Sequence, residues 1–300
     1  MSPRSLRTVA VPVVAALALV GCSSGDDASS TTAPSDTSAS TASTSTTVAV
    51  DQAAPAGQNG ITVDGDTLWV ASIVEDSVLG VDRATGRITD RIPTEGAGPD
   101  DVAMGADGEI WVTGFVSGDL GVIRDGRYSV VTPVGPALNP VDVAEDGTVY
   151  VGRMVTGSDL YRLAPGEGSV VPVASGLDLV NAFAVDSDGT LLAPLAGSRI
   201  VRVDPADGST TEVVGGLEGV LATTRSDAGR YVALGNLSGT VFDVDPVAGT
   251  ATPAIQLTHP GPFDNLAFAD DGTLYVTVLG EPTIIEVSPD GTQRQIRVGA

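Results

Sequence analysis

Gly98-Pro99-Asp100-Asp101-Val102-Ala103, followed after three residues by Asp107-Gly108-Glu109-Ile110-Trp111-Val112, is one copy of a unit that fills most of the chain. Two short apolar runs flank an Asp-Gly turn, and Asp-Gly readily takes the positive φ angles of a tight hairpin. Working outward, the pair Ile110-Trp111 has counterparts at Leu68-Trp69, Val149-Tyr150, Leu191-Leu192, Tyr231-Val232 and Leu274-Tyr275. In chain order the second members are spaced by 42, 39, 42, 40 and 43 residues. The Asp-Gly signal precedes five of the six pairs, at residues 64, 107, 146, 188 and 271, and Ala228-Gly229 replaces it in the fifth copy. A second Gly-bearing turn follows each pair, as at Thr85-Gly86, Asp125-Gly126 and Asp290-Gly291.

Two turn signals per copy divide it into four short strands, such as Ile61–Val63, Leu68–Ala71, Val78–Val81 and Ile88–Ile92. A period of about 40 residues with short strands indicates propeller blades rather than solenoid turns. The expected fold is therefore all-β, a six-bladed β-propeller over residues 58–300 with four antiparallel strands per blade. The aromatic anchors Trp69, Trp111, Tyr150 and Tyr275 keep a fixed phase in mid-strand, so they read as packing between blades and not as a stacking platform for a ligand.

Before the repeats lie two segments of different character. Arg4 and Arg7 precede an uncharged run, Thr8 to Val20, too short to span a bilayer comfortably but of the length of a signal-peptide core. It ends in Leu19-Val20-Gly21-Cys22, which resembles the bacterial lipobox. Residues 1–21 thus read as a lipoprotein signal peptide and Cys22 as the lipidated residue. Residues 22–57 read as a disordered Ser/Thr-rich tether, because they lack aromatic, Leu and Ile side chains to bury. Such a coil reaches roughly 30–35 Å. The expected location is the extracytoplasmic face of a cell membrane, reached through the lipid anchor; two or more acyl chains anchor durably where one does not.

Composition removes several function classes. The formal net charge is −23, and all 15 basic residues are Arg. That sign repels the phosphates of nucleic acid, which is excluded as a partner. Cys22 is the single cysteine, so no intramolecular disulfide forms. No phosphate loop and no His/Cys zinc spacing occurs, and no organic-cofactor site is expected.

In a propeller the inner strands start around the axis on one face. Counting back eleven residues from each anchor gives the equivalent positions Gln58, Asp100, Asn139, Asn181, Leu221 and Asp264. Five of the six are polar and converge on one axis. A ring of such oxygens suits a hard divalent cation such as Ca²⁺, with Asp100, Asn139, Asn181 and Asp264 as ligands and Gln58 as a further one. The alternative is that these side chains cap local turns. An outer rim draws on Glu75, Asp119, Arg153, Asn236 and Glu281. His259, the single histidine, lies in Thr258-His259-Pro260-Gly261 on the same face. It is a general base or an incidental loop residue, and with Asp264 and Asp100 it completes the catalytic candidates.

The stretch quoted at the outset resembles the blade motif of the gluconolactonase, senescence-marker-protein and luciferin-regenerating-enzyme family. It is also similar to streptogramin lyases and to NHL-like and TolB-like propellers. Val81-Asp82-Arg83-Ala84-Thr85-Gly86-Arg87 followed by Ile92-Pro93 resembles surface-layer propeller repeats. The lactonase resemblance implies metal-dependent hydrolysis of a sugar lactone. It places Asn139 and Asn181 on the family's Asn ligands, while Gln58 stands where that family has Glu and Leu221 where it has Asp. The lyase resemblance implies a catalytic His and Glu, with His259 the single histidine to supply the first.

Three functions follow. The leading one is a binding module whose axial mouth takes a small molecule or an envelope protein. The second is a divalent-metal-dependent lactone hydrolase. The third is a structural protein of the cell envelope.

Overall fold

The computed structural model describes residues 50–299. The signal peptide, Cys22 and most of the tether lie outside the described residues. Residues 48–300 form a compact unit by themselves.

The first blade is β1 (Ile61–Asp64), β2 (Thr67–Ser72), β3 (Ser77–Asp82) and β4 (Ile88–Pro93), and the second is β5 (Pro99–Met104), β6 (Ile110–Gly114), β7 (Asp119–Arg124) and β8 (Arg127–Pro133). The third is β9 (Leu138–Val143), β10 (Val149–Arg153), β11 (Ser158–Leu163) and β12 (Val171–Leu177), and the fourth is β13 (Ala184–Val185), β14 (Leu191–Leu195), β15 (Arg199–Val203) and β16 (Thr210–Gly215). The fifth is β17 (Val220–Arg225), β18 (Tyr231–Gly235), β19 (Thr240–Asp245) and β20 (Thr250–Gln256), and the sixth is β21 (Phe263–Phe268), β22 (Leu274–Val278), β23 (Thr283–Val287) and β24 (Gln293–Arg297). Each blade is an antiparallel sheet of four strands consecutive in the chain, so the expected six-bladed propeller is the observed fold.

Burial follows position in the blade. Every residue of β6, β14, β18 and β22 is buried, because neighbouring blades cover both faces of these second strands. The outermost strands β8, β16 and β20 are mostly exposed and carry Ser, Thr, Glu and Arg. The apolar core is divided into six clusters, each shared by two adjacent blades. Trp111, Tyr150 and Tyr275 are buried in these seams and Trp69 is half-buried in one, as packing residues should be.

Not every Asp-Gly turn has the same length. In the first blade Asp64 pairs with Thr67 across a two-residue turn. In the second, Gly105 N–H donates to Glu109 O at 2.7 Å, so the connection is longer, and Gly108 holds its φ of 80°.

The ring closes without a shared strand. A cluster containing Leu68, Ile88, Tyr275 and Ile296 joins the sixth blade to the first. Residues 50–57, assigned to the tether from composition, run along this seam. Val50 packs on the cluster, and the Gln52 amide donates to Ile88 O at 2.7 Å and accepts Ile88 N–H at 3.0 Å. Arg91 Nη2 donates to Ala53 O, and Ser72 Oγ to Gly57 O, both at 2.7 Å. One apolar side chain, the Gln52 amide and two backbone carbonyls fix them, and composition carries no sign of that.

Candidate functional site

The six ring positions lie where the inner strands begin. The first residue after each second strand marks the same level. Phe115 N–H donates to Gly98 O, Met154 to Ala137 O, Asn236 to Gly219 O and Leu279 to Pro262 O, at 2.8–3.0 Å. The loops between second and third strands therefore stand around the ring and form its mouth.

Within the ring, Asp100, Asn139 and Asn181 are buried, Gln58 is fully buried, and Asp264 and Leu221 are half-buried. The structure brings Asp100 and Asn139 together, with Asn139 Nδ2 donating to Asp100 Oδ2. The amide nitrogens of Asn139 and Asn181 both face Met154 Sδ, at 3.9 and 3.6 Å. The Asn59 side chain stands close enough to Asp264 to offset part of the effect of burial on its carboxyl. Gln58 has no partner for either amide atom.

Three residues one step along the inner strands escape the eleven-residue count. Asp101 accepts Val102 N–H at 2.9 Å, Val141 N–H at 3.1 Å and Asn265 Nδ2–H at 2.8 Å, and so ties the second, third and sixth blades. Asn59 and Asn265 occupy the same position in their own blades. Counting back ten residues from the anchors instead of eleven finds all three. Asp142 makes a similar tie, accepting Val185 N–H at 2.8 Å from the fourth blade.

Electrostatically the site is an uncompensated acid cluster. Among the described residues no Arg or His lies within ion-pair distance of Asp100, Asp101 or Asp264. Burial, then the neighbouring Asp264 and Asp101, raise the Asp100 carboxyl well above the ordinary range. Loss of solvent also raises Asp264. Asp101 is pushed up to about 8 and Asp142 to about 6, both chiefly by burial, against the hydrogen bonds that they accept.

The donor set does not form an oxygen cage for a divalent cation. Asn139 and Asn181 turn their N–H groups inward, and Asn181 Oδ1 accepts Ala182 N–H at 2.7 Å, the local capping that is the alternative reading of the ring. Among the described residues no three His, Cys, Asp or Glu side chains are grouped to hold a metal ion.

His259 reaches none of the ring carboxyls by a hydrogen bond. Its Nε2 lies 3.5 Å from Glu281 Oε2, its Nδ1 accepts Gly261 N–H at 3.2 Å, and its ring meets Phe263 edge-on. The charged outer rim is likewise committed locally. Glu75 pairs with Arg91 at 3.1 Å, Arg153 donates to Pro136 O and Asn236 donates to Phe263 O, whereas Asp119 is tied through its backbone N–H to Ser117 Oγ and its carboxylate takes no part in that bond.

No family model and no curated protein sequence matches the chain. Solved structures do. Virginiamycin B lyase from Staphylococcus aureus is 18% identical with a TM-score of 0.61, over 80% of this chain and 84% of that one. A gluconolactonase from Xanthomonas campestris is 19% identical with a TM-score of 0.63, over 75% and 84%. The calcium-binding protein regucalcin from Agrobacterium tumefaciens is 19% identical with a TM-score of 0.62, over 75% and 83%. At these identities the likeness shows a shared β-propeller fold, on which unrelated activities reside.

Proposed function

We propose that this chain is a lipid-anchored binding module on the outer side of a cell membrane, whose axial mouth takes a ligand carrying positive charge or hydrogen-bond donors. The observation that carries the reading is Gln58. It is 0% exposed, it stands at the ring between the inner strands bearing Asp264 and Asp100, and neither of its amide atoms has a partner. Leaving a buried polar group unpaired costs about 1–3 kcal/mol, which a ligand returns once the Gln58 side chain turns from its sealed position toward the mouth. Asp100 and Asp264 beside it are carboxyls with no basic partner, so a cationic group lowers the energy of both.

The test is thermal unfolding of residues 48–300 in methylammonium or Ca²⁺, against sodium chloride of equal ionic strength. A cation at ten times its Kd stabilises by about 1.4 kcal/mol. A rise in Tm at pH 8, weaker at pH 5 where the carboxyls hold protons, and absent in Asp264→Ala, is the expected result. No rise with either cation at either pH sinks the reading of the mouth.

Anchorage is tested separately. Cells fed labelled fatty acid should place label on this chain and none on Cys22→Ser. Label on the Cys22→Ser chain would remove the lipidation site.

Lactone hydrolysis is the second reading. In its favour stands Asp264, a carboxyl of raised pKa open at the mouth beside Asp100, the pairing that acid–base catalysis uses. The gluconolactonase among its structural neighbours makes a sugar lactone the first substrate to try. Turnover lost in Asp264→Asn would replace the binding reading.

A further inference from the structure

The walls of the mouth differ in kind from its floor. The residues just past the second strands are apolar in nearly every blade: Ile73-Val74, Phe115-Val116, Met154-Val155, Leu237 and Leu279. Val74, Val116 and Leu237 are 69%, 64% and 71% exposed, and Leu279 is 37% exposed. These four are most of the large apolar side chains exposed on the described surface. Isolated exposed apolar residues need no explanation, but a set in the same loop of the fifth, sixth, first and second blades, neighbours around one opening, marks an interaction site. The collar is continuous where the first blade meets the second. A methyl placed on Gly98 would lie 2.5 Å from Val116 Cγ2 and 3.6 Å from Ile73 Cγ2. Arg153, the basic residue next to the collar, has its Nε turned onto the Pro136 carbonyl at 3.0 Å.

We infer that the mouth is built for a hydrophobic organic ammonium ion, its charged head on Asp264 and Asp100 beside Gln58 and its apolar body on the Val74, Val116, Leu237 and Leu279 collar. This rests on the proposed acidic binding mouth and names the ligand class. Each part of the site excludes a competitor. A small ammonium ion such as methylammonium satisfies the floor but leaves the collar wet. A neutral lipid satisfies the collar but leaves the carboxyls and the Gln58 amide unpaired. An anionic amphiphile is repelled by the floor. An alkyl or aryl ammonium satisfies both parts at once.

The experiment is calorimetric titration of residues 48–300 at pH 8 with n-octylammonium, methylammonium, 1-octanol and octyl sulfate, each below its aggregation limit. Burying about four methylenes should tighten n-octylammonium over methylammonium by roughly a hundredfold. Octanol and octyl sulfate should not bind. Leu237→Ser and Val116→Ser alter exposed side chains and should keep the wild-type Tm. They should weaken n-octylammonium about tenfold each and leave methylammonium unchanged, whereas Asp264→Asn should weaken both amines. Equal affinity for the two amines would overturn the ligand class and leave the acidic mouth standing. Octanol binding as tightly as n-octylammonium would overturn the ligand class by reducing the collar to an apolar patch. Absence of binding by both amines would overturn the class and the mouth together.

Discussion

Gly60→Ala is expected to cost residues 48–300 about 3 kcal/mol of stability or more, near the upper end for overpacking. The first and second blades come into close contact at this residue. Gly60 N–H donates to Asp100 O at 2.6 Å, and Ala71 N–H donates to Gly60 O at 2.9 Å. A Cβ there would stand 2.3 Å from Asp101 Oδ1, 2.5 Å from Asp101 Cα and 2.7 Å from Asp100 O. Two of those atoms are backbone, and the third belongs to a carboxyl held by three donors from three blades. Neither can retreat without breaking the inter-blade bonds, so the cost adds overpacking to lost hydrogen bonding. Gly168 is the control: a methyl there meets nothing within 4 Å, and Gly168→Ala should stay within about 0.5 kcal/mol of the parent. Urea unfolding measures both. Equal midpoints for Gly60→Ala and Gly168→Ala would show that the close approach does not exist in solution.

The second large effect is a fall in stability as pH rises. Asp100, Asp101, Asp142 and Asp264 all have folded-state pKa values above the 3.8 of an ordinary aspartate. The folded chain therefore keeps protons that the unfolded chain releases, and stability declines with pH wherever the native state binds more protons. Their contribution is complete below about pH 4 and is lost upward, through about 6 for Asp142 and about 8 for Asp101. A tenfold difference in proton affinity between folded and unfolded chain is worth about 1.4 kcal/mol. Over these four carboxyls the sum is several kcal/mol, so Tm should drop by roughly 10 °C or more between pH 5 and pH 8. On the acid side the sign reverses. Asp146, Asp188 and Asp271 are held below the ordinary range by hydrogen bonds from Thr148, Thr190 and Thr273, and their contribution is lost as pH falls below about 4. For these groups the maximum therefore lies near pH 4 at low salt. Calorimetric scans across this range check it. Asp101→Asn should flatten the limb between pH 6 and 8 whatever its effect on absolute stability. A Tm that rises from pH 5 to 8 would mean that these carboxyls are ionised in the folded state.

What can be read from the residues divides along a physical line. The propeller is legible because the doublets Ile110-Trp111 and Leu274-Tyr275 and the turns before them recur at a fixed spacing, and local turn chemistry sets strand boundaries. The ring is legible for the same reason, since a constant offset from an anchor becomes a constant height along the axis. The direction in which the Asn139 and Asn181 amides turn is not, because it depends on Met154 from a loop, whose reach no spacing encodes. Asp101 is hidden because its role exists only between blades, where Gly60 leaves room for it to meet Asn265. A rim drawn from charge alone takes in Glu75 and Glu281. Glu75 is paired with Arg91 and Glu281 lies 3.5 Å from His259 Nε2, and the opening is lined instead by Val and Leu, residue types assigned to the interior by default.

The closure of the ring has one more implication. Its last seam joins side chains of two complete blades as the other five do, with residues 50–57 laid along it, and Gly299 lies against the Gln52–Ala54 backbone. The molecule thus has no privileged beginning. Joining residues 52 and 299 by a short linker and cutting the exposed Asp125-Gly126 turn would reorder the blades along the gene while leaving every neighbour relation in the circle unchanged. Linear order in this chain records where the circle was opened, and the circle itself is indifferent to it.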